Sequence, residues 1–195
     1  MLTDIGKLKC VGERARIYDM AKIVRPEVVE IGEGTQIDDF VFMNGGQGIR
    51  IGQYNHIASF VSVIGGGELV TKDYVGIAAG ARIITGTHHY GDGRRISPLI
   101  PEEDQCIIRG RVVLEQDVFI GTNAIIHPGV TIGEGAIIGS GGLVLHDVAP
   151  WTINVGVPVR VIGSRPRVQS GTATEDAAVQ ADSIDDATRV SPTGE

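Results

Sequence analysis

The chain has 195 residues, of which 42% are hydrophobic and only 5% aromatic, with 28 glycines and a net charge of −7. That length fits one domain with an appendage, the composition fits a narrow aliphatic core, and the lack of any G-x-y period excludes collagen. From Val168 onward six carboxylates face Arg189, so this tail carries −5 and the rest only −2, which excludes a nucleic-acid footprint and a basic membrane-binding surface.

The N-terminal MLTDIGKLKC lacks the apolar centre of a secretion signal, and no apolar run approaches the ~18 residues that span a bilayer. The sequence therefore predicts a cytoplasmic protein. Cys10 and Cys106 have no metal-ligand spacing and form no disulfide framework, so both are expected to be reduced thiols.

Residues 1–10 read as a lead-in. Aliphatic residues then recur six apart: Val11, Ile17 and Ile23; Ile31 and Ile37; Ile51, Ile57 and Val63; and, after Thr71 in a weakly filled slot, Ile77 and Ile83. The phase slips between these blocks, which marks inserted corner residues. Residues 88–111 hold no hexapeptide and contain Pro98 and Pro101, so they read as a long external loop of the kind kept for function. The period resumes without a miss through Leu114, Ile120, Ile126, Ile132, Ile138 and Val144, with small or β-branched residues at the fifth position (Val118, Ala124, Val130, Ala136, Gly142). Residues 166–195 lack apolar density and read as a disordered acidic tail.

A period of six is neither helical nor that of a single strand. It suits a three-sided prism in which three hexapeptides close one coil, coils stack as parallel strands ~4.8 Å apart, and equivalent positions form internal columns. The alternation of a strand turns the first and fifth positions inward and the sixth outward. The repeats between 11 and 165 suffice for about seven coils. The alternative, a β-sandwich with regularly spaced strands, does not require six consecutive hits at spacing six.

A thin prism has no internal pocket, so chemistry must lie outside it, in a groove where two subunits meet. Counting from Ile83 puts His88 at an outward sixth position beside the loop, where an exposed base belongs. Counting from Ile51 puts His56 at another. Arg94 and Arg95 in the loop have the forked geometry that pairs with a diphosphate. Cys106 has no histidine placed beside it by sequence, which disfavours an acyl carrier.

The hexapeptide pattern resembles that of the left-handed β-helix acyltransferases, and the resemblance supplies the handedness, which periodicity does not. Ile83-Ile84-Thr85-Gly86-Thr87-His88 resembles the segment of galactoside- and maltose-type sugar O-acetyltransferases that carries the catalytic histidine. The stretch His56-Ile57-Ala58-Ser59-Phe60 is similar to enzymes acting on nucleotide-linked amino sugars. The resemblance implies an acetyl-CoA-dependent acetyltransferase that forms a homotrimer and needs no metal. His88 would be the general base in a direct attack on the thioester, with His56 a second base or acceptor-binding group and His89 a substitute. Ala58 stands where the galactoside enzymes have asparagine, so Asn55 is expected to supply an amide to the acceptor instead.

On the donor side Ile120-Gly121-Thr122-Asn123 and Ile138-Gly139-Ser140-Gly141 resemble the coils along which the pantetheine arm lies. The segment from Asp147 to Ile162 is similar to the family's C-terminal strand, which assigns Arg160 to a phosphate of coenzyme A, with Arg165 second. His146 stands where many relatives have lysine. The expected acceptor is a nucleotide-linked amino sugar or a glycan hydroxyl of surface polysaccharide synthesis, which leaves O- and N-acetylation both open, with no nucleic-acid or membrane partner. An antibiotic hydroxyl, or a non-catalytic scaffold, are the alternatives. A γ-type carbonic anhydrase is disfavoured because the fifth residue after His88 is Gly93 rather than histidine, and a uridylyltransferase because no phosphate-binding loop precedes the repeats.

Overall fold

The computed structural model describes residues 5–91, 93–97 and 99–168. The chain visits three parallel sheets in strict rotation. The first face takes the strands Cys10–Val11, Val29–Ile31, Gly48–Ile51, Glu68–Thr71, Arg111–Leu114 and Thr131–Ile132. The second takes Arg16–Ile17, Gln36–Ile37, His56–Ile57, Gly76–Ile77, Phe119–Ile120 and Ile137–Ile138, and ends in an antiparallel hairpin of Thr152–Gly156 with Val159–Ser164. The third takes Lys22–Val24, Phe42–Asn44, Ser62–Ile64, Arg82–Ile84, Ile125–Ile126 and Leu143–Val144. The result is a parallel β-helix of about seven coils.

Register converts the period into columns. Ile37, Ile57, Ile77, Ile120 and Ile138 stack on the second face, and Ile23, Met43, Val63, Ile83, Ile126 and Val144 on the third. All are buried, and each fully buried isoleucine contributes roughly 1.5–3 kcal/mol of transfer free energy. Side chains of this shape fill a narrow interior that rings would split, which is why the tyrosines and phenylalanines are left outside. Phe40 stacks on Phe60 with centroids 5.1 Å apart, and Tyr54 on Tyr74 at 5.5 Å, along the corners.

Coil length departs from the eighteen residues expected throughout. In the N-terminal half, strand partners lie twenty residues apart (Lys22↔Phe42, Gln36↔His56), and only after the loop do they fall to eighteen (Phe119↔Ile137). The two extra residues sit where the third face turns into the first, and they account for the phase slips. One polar ladder interrupts the aliphatic columns: Asn55 Nδ2 donates to Thr71 Oγ1 at 2.5 Å, and the Asn55 amide N–H donates to Thr35 Oγ1 at 3.1 Å. Thr71 thus fills its aliphatic slot by satisfying a buried neighbour.

The long insertion leaves at this same corner. Gly86–His88 pairs antiparallel with Ile107–Arg109, so the loop has a two-stranded root, and Arg111 already belongs to the first face. The predicted tail falls largely on residues 169–195, outside the described residues, as are residues 1–4 of the lead-in.

Candidate functional site

The loop root is set by close backbone contact. A Cβ on Gly65 would lie 2.1 Å from the Gly86 nitrogen, and one on Gly67 would lie 2.2 Å from the Thr85 carbonyl oxygen. The Gly65-Gly66-Gly67 corner is therefore a socket in which the root rests. Thr85, fully buried, pins it by donating through Oγ1 to the Ile64 carbonyl at 2.9 Å and accepting from the Gly67 N–H at 3.0 Å.

His88 sits on this root opposite Ile107. It is half-buried, not on an open face as the count from Ile83 predicts, because the chain leaves the prism at Gly86 and the six-residue rule ends there. Its Nδ1 is enclosed and has no hydrogen-bond partner among the described residues. His89 is exposed, with its Nδ1 accepting from the Gly91 N–H at 3.2 Å and its own N–H donating to the Cys106 carbonyl at 2.9 Å. Arg94 and Arg95 are exposed on the loop, and Arg94 Nη2 lies 3.1 Å from Cys106 Sγ. Cys10 and Cys106 are both free thiols.

His56 does occupy an outward position, on the second face. Its Nε2 lies 3.0 Å from Asp38 Oδ2, and the other Asp38 oxygen accepts from Gln36 Nε2 at 2.8 Å. Asp38 and Gln36 had no signal in the repeat, since both are ordinary outward residues until the next coil brings His56 above them. Asn55, expected to serve the acceptor, is corrected by its surroundings. It is 2% exposed, its amide nitrogen is committed to Thr71, and its oxygen accepts from the Val75 N–H at 2.7 Å. As a fifth-position residue it points inward and has no group left for a ligand.

In a three-sided prism the corner between the third and first faces is opposite the second face. His88 and His56 thus lie on opposite sides of one protomer, although within about one coil, ~4.8 Å, of the same height. No cluster of three or more metal-ligating side chains occurs among the described residues. No helix of the described residues is long and apolar enough to cross a membrane.

Residues 111–146 match the family model for the bacterial transferase hexapeptide (six repeats). Over 167 residues, 85% of this chain and 86% of the relative, the sequence is 36% identical to the dTDP-4-amino-4,6-dideoxy-D-glucose acyltransferase of Escherichia coli. The chain belongs to the hexapeptide-repeat acyltransferases. Among solved structures, the N-acyltransferase AntD from Bacillus cereus, in complex with dTDP and 3-hydroxybutyryl-CoA, superposes with a TM-score of 0.78 and 30% identity over 93% of this chain and 92% of AntD. The acetyltransferase VCA0836 of Vibrio cholerae, complexed with acetyl coenzyme A, gives a TM-score of 0.58 at 25% identity, over 83% of this chain and 74% of that one.

In this hexapeptide-repeat acyltransferase the proposed donor residues divide into two groups. Gly121 and Gly139 are required by packing within the chain, since a Cβ would lie 2.6 Å from the Ser140 nitrogen in one case and 2.7 Å from Val155 Cγ1 in the other. Thr122 and Ser140 are exposed on the same corner of successive coils, and Arg160 is exposed on the last strand. Arg165 is engaged within the protomer: its Nη1 donates to the Asp117 carbonyl at 2.6 Å, and its guanidinium stands 5.9 Å from the Trp151 ring centre. Of the two arginines, Arg160 is exposed and Arg165 half-buried.

Proposed function

We propose that this protein transfers an acyl group from a coenzyme A thioester, acetyl-CoA in the simplest case, to the amino group of a nucleotide-linked 4-amino-4,6-dideoxy sugar. The observation that carries this reading is the match over most of both chains to an acyltransferase of dTDP-4-amino-4,6-dideoxy-D-glucose. A variant of AntD in complex with that sugar nucleotide and coenzyme A superposes equally well. Surface polysaccharide synthesis in the cytoplasm is the setting in which such a product would be used.

The amine attacks the thioester carbonyl, a C–N bond forms, the C–S bond breaks, and coenzyme A leaves. His88 acts as general base on the attacking nitrogen, a contribution typically of ~10² to 10⁴-fold. Its place at the root of a loop braced by Thr85 and the glycine socket supports this role, because a base must be held in position. The enclosed Nδ1 leaves Nε2 as the nitrogen for the substrate. Arg160 meets a phosphate of coenzyme A, the pantetheine arm lies past Thr122 and Ser140, and Arg94 and Arg95 reach the acceptor's diphosphate.

The active unit is a closed homotrimer. A three-fold axis parallel to the solenoid sets the loop root of one protomer against the second face of the next, at the level of His56. Incubation with acetyl-CoA and dTDP-4-amino-4,6-dideoxyglucose should release coenzyme A thiol and give the N-acetylated sugar. The matched sugar with a hydroxyl at C4 should give none. His88→Ala should lower kcat by about 100-fold or more while leaving the Kd of acetyl-CoA unchanged. Equal losses in both would reject the base assignment.

A further inference from the structure

N-acylation has a proton requirement that O-acylation lacks. An aliphatic amine is largely protonated at neutral pH, given reference values of ~8 to ~10.4, and an ammonium group has no lone pair with which to attack. Two protons must therefore leave the acceptor nitrogen. The first frees the lone pair, and the second departs after the C–N bond has formed. One of them ends on the coenzyme A sulfur and the other in solvent. A single base in contact with the nitrogen serves the second transfer, which leaves the first without a group.

The second face holds a group suited to it. Asp38 has both oxygens engaged, one by Gln36 Nε2 and the other by His56 Nε2. A carboxylate braced in this way fixes the imidazole with its proton on Nε2 and its lone pair on Nδ1. On the next rung Gly76 has no side chain, and the ring of Phe119 leans over it so closely that a Cβ on Gly76 would lie 3.0 Å from Phe119 Cδ2. The outward column of this face therefore runs from His56 past Gly76 to an apolar ring, that of Phe119. A 4-amino-4,6-dideoxy sugar carries its amine next to an apolar methyl-bearing edge, which matches an imidazole beside a phenyl ring.

We infer that His56, positioned by Asp38, takes the first proton from the acceptor's ammonium group and passes it to solvent, while His88 of the neighbouring protomer takes the second. This rests on the amino-sugar reading above. His56 is the residue in contact with substrate, and Asp38 is a positioning residue. Other titratable groups on the flanking elements face elsewhere: Asp39 accepts from the Met20 N–H at 2.8 Å, Asp73 accepts from the Gln53 N–H at 2.8 Å, and Tyr54 and Tyr74 stack on each other. The strand on the other side presents Gly76.

The test is the pH dependence of kcat/KM for dTDP-4-amino-4,6-dideoxyglucose in the full-length protein and in Asp38→Asn, His56→Gln and the double variant. At pH 7 each single variant should lose roughly ten-fold, because only the free-amine fraction then reacts, and the deficit should close by about pH 9.5. The double variant should be no worse than either single one, and thermal midpoints should be unchanged. His88→Ala should not recover at high pH. If the unaltered protein acylates the amino sugar while the single variants run parallel to it at every pH, the His56 assignment is overturned and the amino-sugar reading stands. If the unaltered protein acylates no amino sugar, both fall.

Discussion

The ring of Trp151 fills the space that a side chain on Gly135 would need: a Cβ there would lie 2.3 Å from Trp151 Cε3, at a backbone φ of +66°. Gly135→Ala must displace the ring and adopt a left-handed conformation, which together should cost about 1–3 kcal/mol. Because Trp151 is the only tryptophan, its fluorescence during urea unfolding reads the effect directly. An unshifted midpoint would mean that the ring moves aside freely.

Arg165 and Arg160 share the C-terminal segment but should fail in opposite ways. Arg165→Ala removes donors to the carbonyls of Asp117 and Gly135 and should lower stability by about 1–3 kcal/mol. Arg160→Ala should leave the thermal midpoint unchanged and weaken coenzyme A binding about ten-fold, the scale of one charge-assisted phosphate contact. Calorimetric titration of both variants with coenzyme A separates the two.

Asn55→Ala should be a stability variant and not a KM variant. It strands the buried Val75 N–H and removes the partner of Thr71, at roughly 1–3 kcal/mol for an unsatisfied group. The expected result is a lower thermal midpoint, with kcat/KM per folded molecule unchanged. A selective rise in acceptor KM would contradict its inward placement.

If His56 and His88 meet at one acceptor across a subunit boundary, as proposed, two impaired variants should complement each other. Trimers assembled from equal amounts of His56→Gln and His88→Ala chains, refolded together at pH 7, should show about a quarter of the unaltered activity, the fraction of boundaries that combine two intact surfaces, against about a tenth for His56→Gln alone. Mixtures no more active than their components would show that each protomer works alone.

The repeat made the architecture legible. Because each coil repeats the same three turns, the position of an aliphatic residue within its hexapeptide states whether it enters the column, and Ile120, Ile126, Ile132 and Ile138 are buried as that rule requires. The same rule contained the signal for Asn55, a fifth-position residue that the alternation turns inward. The long interruption before Arg111 was equally visible, since nothing in it maintains the period.

The sequence by itself determined which residues fill the interior, because burial depends on a local period that each hexapeptide carries within it. Only the tertiary structure decided what meets on the outside. The twenty-residue coil put Asp38 beside His56, the two-stranded loop root set His88 opposite Ile107, and the prism put the two histidines on opposite sides. Those relations join residues eighteen or more apart. They follow from how many residues each corner inserts, and a shift of one residue at a corner would give every outward side chain a different neighbour while leaving the aliphatic pattern of each block intact.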